Sequence, residues 1–226
     1  MRARPLFKDR QSAGKELARR VQRLGLTDPV VLAMPRGGVP IAVEIARVLA
    51  APIDLVFVRK IGVPLQPELA AAAVVDGSDA EIVVNEDVMA HAGLTHSQIR
   101  ELARAELMEI NRRRRVYLEG RARLPYDGCE LIVADDGIAT GASIRAALAA
   151  LRRNNPKRLV LAIPVAPLEI VDGLRTDVDD IICLATPEPF MAIGAHYEDF
   201  HQVPDIEVMR CLDAARAFST RTSAAG

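Results

Sequence analysis

The apolar positions of this chain follow two rhythms. Leu17, Val21 and Leu24 recur at helical spacing among Arg and Lys, which predicts an amphipathic helix over 9–24. Residues 29–34 form a continuous, β-branched apolar run, the pattern of a strand covered on both faces. A helix over 39–50 and a second strand over 53–58 follow. Strand, helix, strand in this order predicts a parallel sheet with right-handed crossovers. The rhythm returns later as strands over 131–134, 158–165 and 180–184, with helices over 144–153 and 168–174. The expected fold class is therefore α/β, a parallel central sheet with helices on both faces.

Between 69 and 125 the rhythm changes. Residues 69–75 are small and apolar and read as a third strand. A turn at 76–79 leads to a hairpin partner over 81–84. Asn85 is placed to cap a short helix. Thr95 with Gln98 makes a capping box for a long helix over 96–118, with Ile99, Leu102, Leu107 and Ile110 as its buried stripe. Arg112, Arg113, Arg114 and Arg115 lie on that helix. Four consecutive helical residues span all sides, so some of them must face different surroundings; with no basic tail and no interleaved aromatics, the run reads as a solvated helix face rather than a nucleic-acid patch. His91 and His96 lack a metal-ligand pattern. Asp205 is placed to cap a final helix over 206–218.

Composition narrows the class. Of 226 residues, 50% are hydrophobic and 26% charged, which is globular rather than disordered. A net charge of −1 gives no global attraction to nucleic acid or membrane. Cys129, Cys183 and Cys211 are odd in number and widely spaced, which fits neither a disulfide framework nor a metal site. A reducing cytoplasm is the expected compartment. No apolar run approaches the ~20 residues of a membrane span, and the first residues carry no apolar secretory segment.

The chemistry concentrates at 131–143, L-I-V-A-D-D-G-I-A-T-G-A-S. A strand here runs into a small-residue turn at a helix start. Backbone N–H groups and the positive end of the helix dipole make that arrangement an anion site. Thr140 and Ser143 add hydroxyl donors. Asp135 and Asp136 would repel a phosphate but suit the vicinal hydroxyls of a ribose. The stretch therefore reads as a ribose 5-phosphate cradle. It matches neither a P-loop nor a G-x-G-x-x-G fingerprint.

This stretch resembles the PRPP-binding motif of the type I phosphoribosyltransferases: four hydrophobics, two acids and a T-G-x-[ST] loop. The layout over 29–184 is similar to uncharacterised bacterial phosphoribosyltransferase-like proteins. The resemblance implies that Asp135 and Asp136 hold the ribose, and that Ala139, Thr140, Gly141, Ala142 and Ser143 hold the 5-phosphate. It implies that Arg36, Gly37 and Gly38, in the loop after the first strand, hold the pyrophosphate. Arg59 and Lys60 are the implied catalytic contacts to the leaving group, opening a mobile loop over 61–67. Magnesium is implied as cofactor, carried by PRPP rather than by a protein cage.

The resemblance further implies one domain over 1–226. Its core covers about 8–84 and 126–186. A hood covers about 85–125, with a contribution from 187–226. Phe190, Tyr197 and Phe200 are a local aromatic enrichment after the last sheet strand, suited to stacking a base. Ala139 stands where hypoxanthine-guanine members carry an Asp, so that purine contact is missing. The A-T-G order is closer to adenine-type members, whose N-terminal hood has no match here. The expected activity is transfer of ribose 5-phosphate from PRPP to a nitrogen nucleophile, a nucleobase in nucleotide metabolism, with release of pyrophosphate. The expected partners are PRPP and that small acceptor, with a homodimer left open. The rival is a non-catalytic PRPP- or nucleotide-sensing regulator on the same fold. A third reading, hydrolysis of a phosphoribosyl compound, needs a poised water and base that the sequence does not identify.

Overall fold

The structure is a computed structural model that describes residues 4–64, 66–76, 80–121 and 124–217; the side chains of residues 67 and 68 lie outside the description. Five strands form the central sheet: β1 (Val30–Ala33), β2 (Ile53–Leu55), β6 (Glu130–Ala134), β7 (Arg158–Val165) and β8 (Asp180–Ala185). They run parallel in the order β2-β1-β6-β7-β8. Side-chain alternation splits the core in two. Val31, Ala33, Ile132, Ala134, Val160 and Ala162 point to the face covered by α1 (Arg10–Gln22) and α2 (Gly38–Leu49). Leu32, Leu131, Val133, Leu159, Leu161 and Ile163 point to the face covered by α5 (Ala142–Arg153) and α6 (Leu168–Leu174). Burial on both faces is why these strands read as unbroken apolar runs.

Helix α1 starts at a capping box. Asp9 Oδ1 accepts from the Ser12 N–H at 2.7 Å, and Ser12 Oγ accepts from the Asp9 N–H at 3.1 Å. Its buried stripe is Ala13, Gly14, Leu17, Ala18 and Val21. A Cβ on Gly14 would stand 3.1 Å from Ile41, so the missing side chain is what lets α1 lie close on α2.

The strand expected over 53–58 breaks at Val56. Beyond the break the chain leaves the central sheet and forms a second, antiparallel one: β3 (Phe57–Val63), β4 (Gln66–Asp76) and β5 (Ala80–Val84). The third strand thus exists but does not join the parallel sheet. The segment expected as a loop over 61–67 is largely the hairpin of β3 and β4, with register shifts around Gly62; residue 65 lies outside the described set. Asn85 caps α3 (Glu86–His91), and Thr95 with Gln98 caps α4 (His96–Leu118), as expected. Phe57, Ile61 and Val74 of the small sheet share the core that holds Ile99, Ile110 and Tyr117 of α4. Val75 and Ala73 share the core that holds Ala146 and Leu148 of α5. The small sheet therefore lies between α4 and α5.

The arginine run divides. Arg112 and Arg113 pair with Glu109 on the helix surface, and Arg115 reaches the Asn111 carbonyl. Arg114 is half-buried and turns inward, 2.8 Å from Asp76 Oδ2 and 3.3 Å from Asp54, whose carboxylate also accepts from Tyr126 Oη at 3.2 Å. The surface reading of the run was incomplete at this one residue, which ties α4 to the β2–β3 junction.

After β8 the tail makes a 3-10 turn (Ile193–His196) and meets the N-terminal segment in a bridge between Phe7 and Tyr197. Helix α7 (Asp205–Arg216) then packs on α2 and α4. Asp205 sits inside its first turn, behind Pro204, and does not cap it. Residue 218 lies outside the described set. No described helix is long and apolar enough to cross a membrane.

Candidate active site

Strand β6 ends at Ala134 and the chain turns at once through Asp135, Asp136 and Gly137. Gly141 carries φ +77 at the entrance of α5, a left-handed conformation natural to glycine. It offers α5 no side-chain cap, so the first-turn N–H groups keep their capacity for an anion. Asp135, Ala139, Thr140, Gly141, Ala142 and Ser143 line a recess of about 150 Å³ at this helix start. The five residues expected to hold a phosphate are thus together, with one expected ribose ligand at their edge.

The two acids face different surroundings. Asp135 is half-buried on the recess, and its Oδ1 accepts from the Asp136 N–H at 2.9 Å. Burial first, then the Asp136 charge, push its carboxyl well above the usual carboxylate range. Asp136 turns inward: its Oδ2 accepts from Arg10 Nε at 2.7 Å. The Asp136 carboxylate is thus engaged by a buried guanidinium, and Asp135 is the acid that lines the recess.

The loop after β1 lies against this turn. The Pro35–Arg36 peptide is cis. A Cβ on Gly37 would overlap Asp136 Oδ2, and one on Gly38 would stand 2.5 Å from the Ala134 carbonyl oxygen. Both glycines are therefore explained by close approach of the two loops, whatever else their N–H groups bind. Arg36 Nη1 lies 3.4 Å from Asp205 Oδ1, and the same oxygen accepts from Tyr117 Oη at 2.6 Å. Burial, then the hydrogen bond to Asp205, raise the Tyr117 phenol to about 12.

Arg59 and Lys60 do not share a site. Successive residues of β3 point to opposite faces. Arg59 Nε donates to Glu106 Oε2 on α4 at 2.6 Å. Lys60 faces the other way, into a cleft of about 370 Å³ shared with Ala142 and Arg145 of α5. Lys60 is thus on the same side as the 139–143 recess and Arg59 on the side of α4, so the two cations expected to face one ligand lie on opposite faces of the strand.

The three tail aromatics separate too. Tyr197 is buried, and its hydroxyl donates to the Asp136 carbonyl at 2.7 Å. Phe200 stacks with Tyr197 at 5.0 Å, and Arg10 Cζ lies 3.8 Å above its ring. These two rings support the turn from behind rather than opening to a ligand. Of the three, Phe190 lines a cleft of about 690 Å³, together with Ala139, Glu169, Thr186, Glu188 and Met191. That cleft meets the phosphate recess at Ala139.

Arg10 was not foreseen. Its partner Asp136 lies 126 residues away in sequence, and one Arg in a basic amphipathic helix gives no local signal. Among the described residues, no group of three or more His, Cys, Asp or Glu is arranged to hold a metal ion. The carboxylate that lines the recess is Asp135.

The family model of the phosphoribosyl transferase domain matches residues 8–185. Proteins of two Mycobacterium tuberculosis strains, CDC 1551 and H37Rv, both carrying the phosphoribosyl transferase name, are 43% identical over 210 residues. The match covers 93% of this chain but 47% of each relative, so the chain spans about half the length of the curated relatives it matches. The crystal structure of TT1426 from Thermus thermophilus is similar with a TM-score of 0.76 at 39% identity, covering 91% of this chain and 97% of that one. The chain belongs to the phosphoribosyl transferase domain family, a family of pentosyltransferases.

Proposed function

We propose, from that family membership, that this domain binds PRPP and transfers its ribose 5-phosphate to a small nitrogen nucleophile, a nucleobase or similar heterocycle. The observation that carries the reading is the recess at 139–143 with Asp135 on its edge. The 5-phosphate would sit on the N–H groups and the hydroxyls of Thr140 and Ser143. Asp135 would accept from the ribose hydroxyls. The bond from ribose C1 to the pyrophosphate oxygen breaks, the C1–N bond forms, and the acceptor nitrogen gives up its proton. The oxocarbenium-like centre would be stabilised by the nearby carboxylate charge and by fixed geometry rather than by a covalent intermediate.

The leaving pyrophosphate would lie on the 35–38 loop, with Arg36 and Lys60 as its protein cations. Magnesium bound on the pyrophosphate would neutralise charge there. The oxygens of PRPP and water would carry that ion. The acceptor would enter the cleft of Phe190, which opens beside Ala139.

One observation favours the rival, a PRPP-sensing regulator: Arg36 and Arg59 are both engaged by acids, Asp205 and Glu106, rather than left open. Both pairs are solvent-accessible, and pairs of that kind contribute about 0–1 kcal/mol, so an incoming anion can displace them. Pyrophosphate release from PRPP and magnesium, measured across a panel of nucleobases, decides. Acceptor-dependent release is the expected result. PRPP binding with no release for any acceptor would leave the regulator.

A further inference from the structure

Two adjacent carboxylates in one buried turn repel each other, and burial alone disfavours ionising either. The turn at Asp135 and Asp136 carries a specific remedy. The Arg10 side chain is 9% exposed. Its Nε donates to Asp136 Oδ2 at 2.7 Å, its Nη1 donates to the His201 carbonyl at 2.8 Å, and its plane rests on the Phe200 ring. The guanidinium is thus held by the acid, by the tail backbone and by an aromatic face. Tyr197, from the same tail, holds the Asp136 carbonyl. Gly37, lacking a Cβ, closes over Asp136 Oδ2. Asp136 is immobilised at side chain and backbone, and Asp135 is the acid left on the recess.

From this geometry we infer that Arg10 is a positioning residue: it takes up the charge of Asp136 and so leaves Asp135 as the one carboxylate offered to the sugar. The inference rests on the ribose 5-phosphate reading of the recess. It divides labour between two acids that the motif presents as equals. The other charged groups around the guanidinium are mostly acids with partners of their own, so none of these acids supplies Asp136 with a cation in its place. Asp9 caps α1, and Asp199 and Glu207 hold His201 between them at 3.0 Å each. Glu44 of α2 is engaged by Gln11 and Arg47. Without Arg10, Asp136 would face Asp135 with no cation between them, and the pair would share a proton.

Calorimetric titration with PRPP and magnesium between about pH 6 and 8.5 tests this by proton linkage. Wild type should show the smaller pH dependence, because Arg10 opposes the Asp136 charge. Arg10→Met should bind at least about tenfold more weakly at the acid end and recover as pH rises. Adding Asp136→Asn to Arg10→Met should remove that added pH dependence, which a merely structural role for Arg10 would not do. Wild-type affinity retained by Arg10→Met at every pH, or an added pH dependence that persists in the double variant, overturns the inference. Wild type that does not bind PRPP overturns the underlying reading instead. Should Arg10→Met fail to fold, Asp135→Asn and Asp136→Asn are compared: a loss of at least about tenfold against at most about threefold is expected, and equal losses overturn the inference.

Discussion

Gly37 and Asp136 occupy one another's space: a Cβ on Gly37 would overlap Asp136 Oδ2, the atom that receives Arg10. The loop after β1 and the turn after β6 are therefore a single packed unit, not two neighbouring loops. Gly37→Ala should force the carboxylate off Arg10. Overpacking of this kind costs about 1–3 kcal/mol, and the midpoint of urea unfolding should fall accordingly. An unchanged midpoint would mean that the loops are free to separate.

The tail aromatics should behave as two classes. Tyr197→Phe removes the donor to the Asp136 carbonyl and leaves a buried acceptor unpaired, a loss of about 1–3 kcal/mol. It should lower the melting temperature and leave the Michaelis constant for the acceptor alone. Phe190→Leu should do the reverse, raising that constant with little loss of stability, because Phe190 lines the open cleft. Identical behaviour of the two variants would contradict this division.

Arg114→Met should be the most damaging change in the arginine run. It removes the guanidinium from Asp54 and Asp76, which are buried at 3% and 1% exposure. Breaking a buried pair from one side costs about 3–5 kcal/mol. Arg112→Ala on the exposed side of the same helix should stay within about 0.5 kcal/mol. Equal unfolding midpoints for the two variants would refute the buried assignment.

The raised Asp135 carboxyl makes stability depend on pH in a defined direction. A folded-state value above the unfolded one means that the protonated acid favours the fold. Its contribution is complete below the ordinary carboxylate value of about 3.9 and is lost as pH rises through the raised folded value. Asp135→Asn should therefore be more stable than wild type at neutral pH, the gap closing toward acid. Denaturant midpoints measured across pH check this; a gap that widens toward acid would reverse the assignment.

The legible parts of the molecule were those whose determinants are local. The 131–143 stretch carries strand, turn, hydroxyls and helix start in thirteen consecutive positions, and the recess forms there. Thr95 and Gln98 specify their helix start within four residues. Long-range pairings were not legible. Arg10 finds Asp136 only through the fold, and Tyr197 and Phe200 were free to read as ligand contacts until the N-terminal segment was seen to cover them. The Arg59–Lys60 dipeptide looked like a paired site because its strand was expected to end at 58. Once β3 continues to Val63, alternation sends the two cations to opposite faces.

The central claim is that residues 139–143 hold the 5-phosphate of PRPP. Thr140 is exposed on the recess, so Thr140→Glu should fold normally while placing a carboxylate where the phosphate would lie. Calorimetric titration of PRPP with magnesium into wild type and Thr140→Glu is the direct measurement. Binding by wild type and a loss of about a hundredfold or more, ~2.7 kcal/mol, in the variant are expected. Equal affinity in a folded Thr140→Glu protein would contradict it.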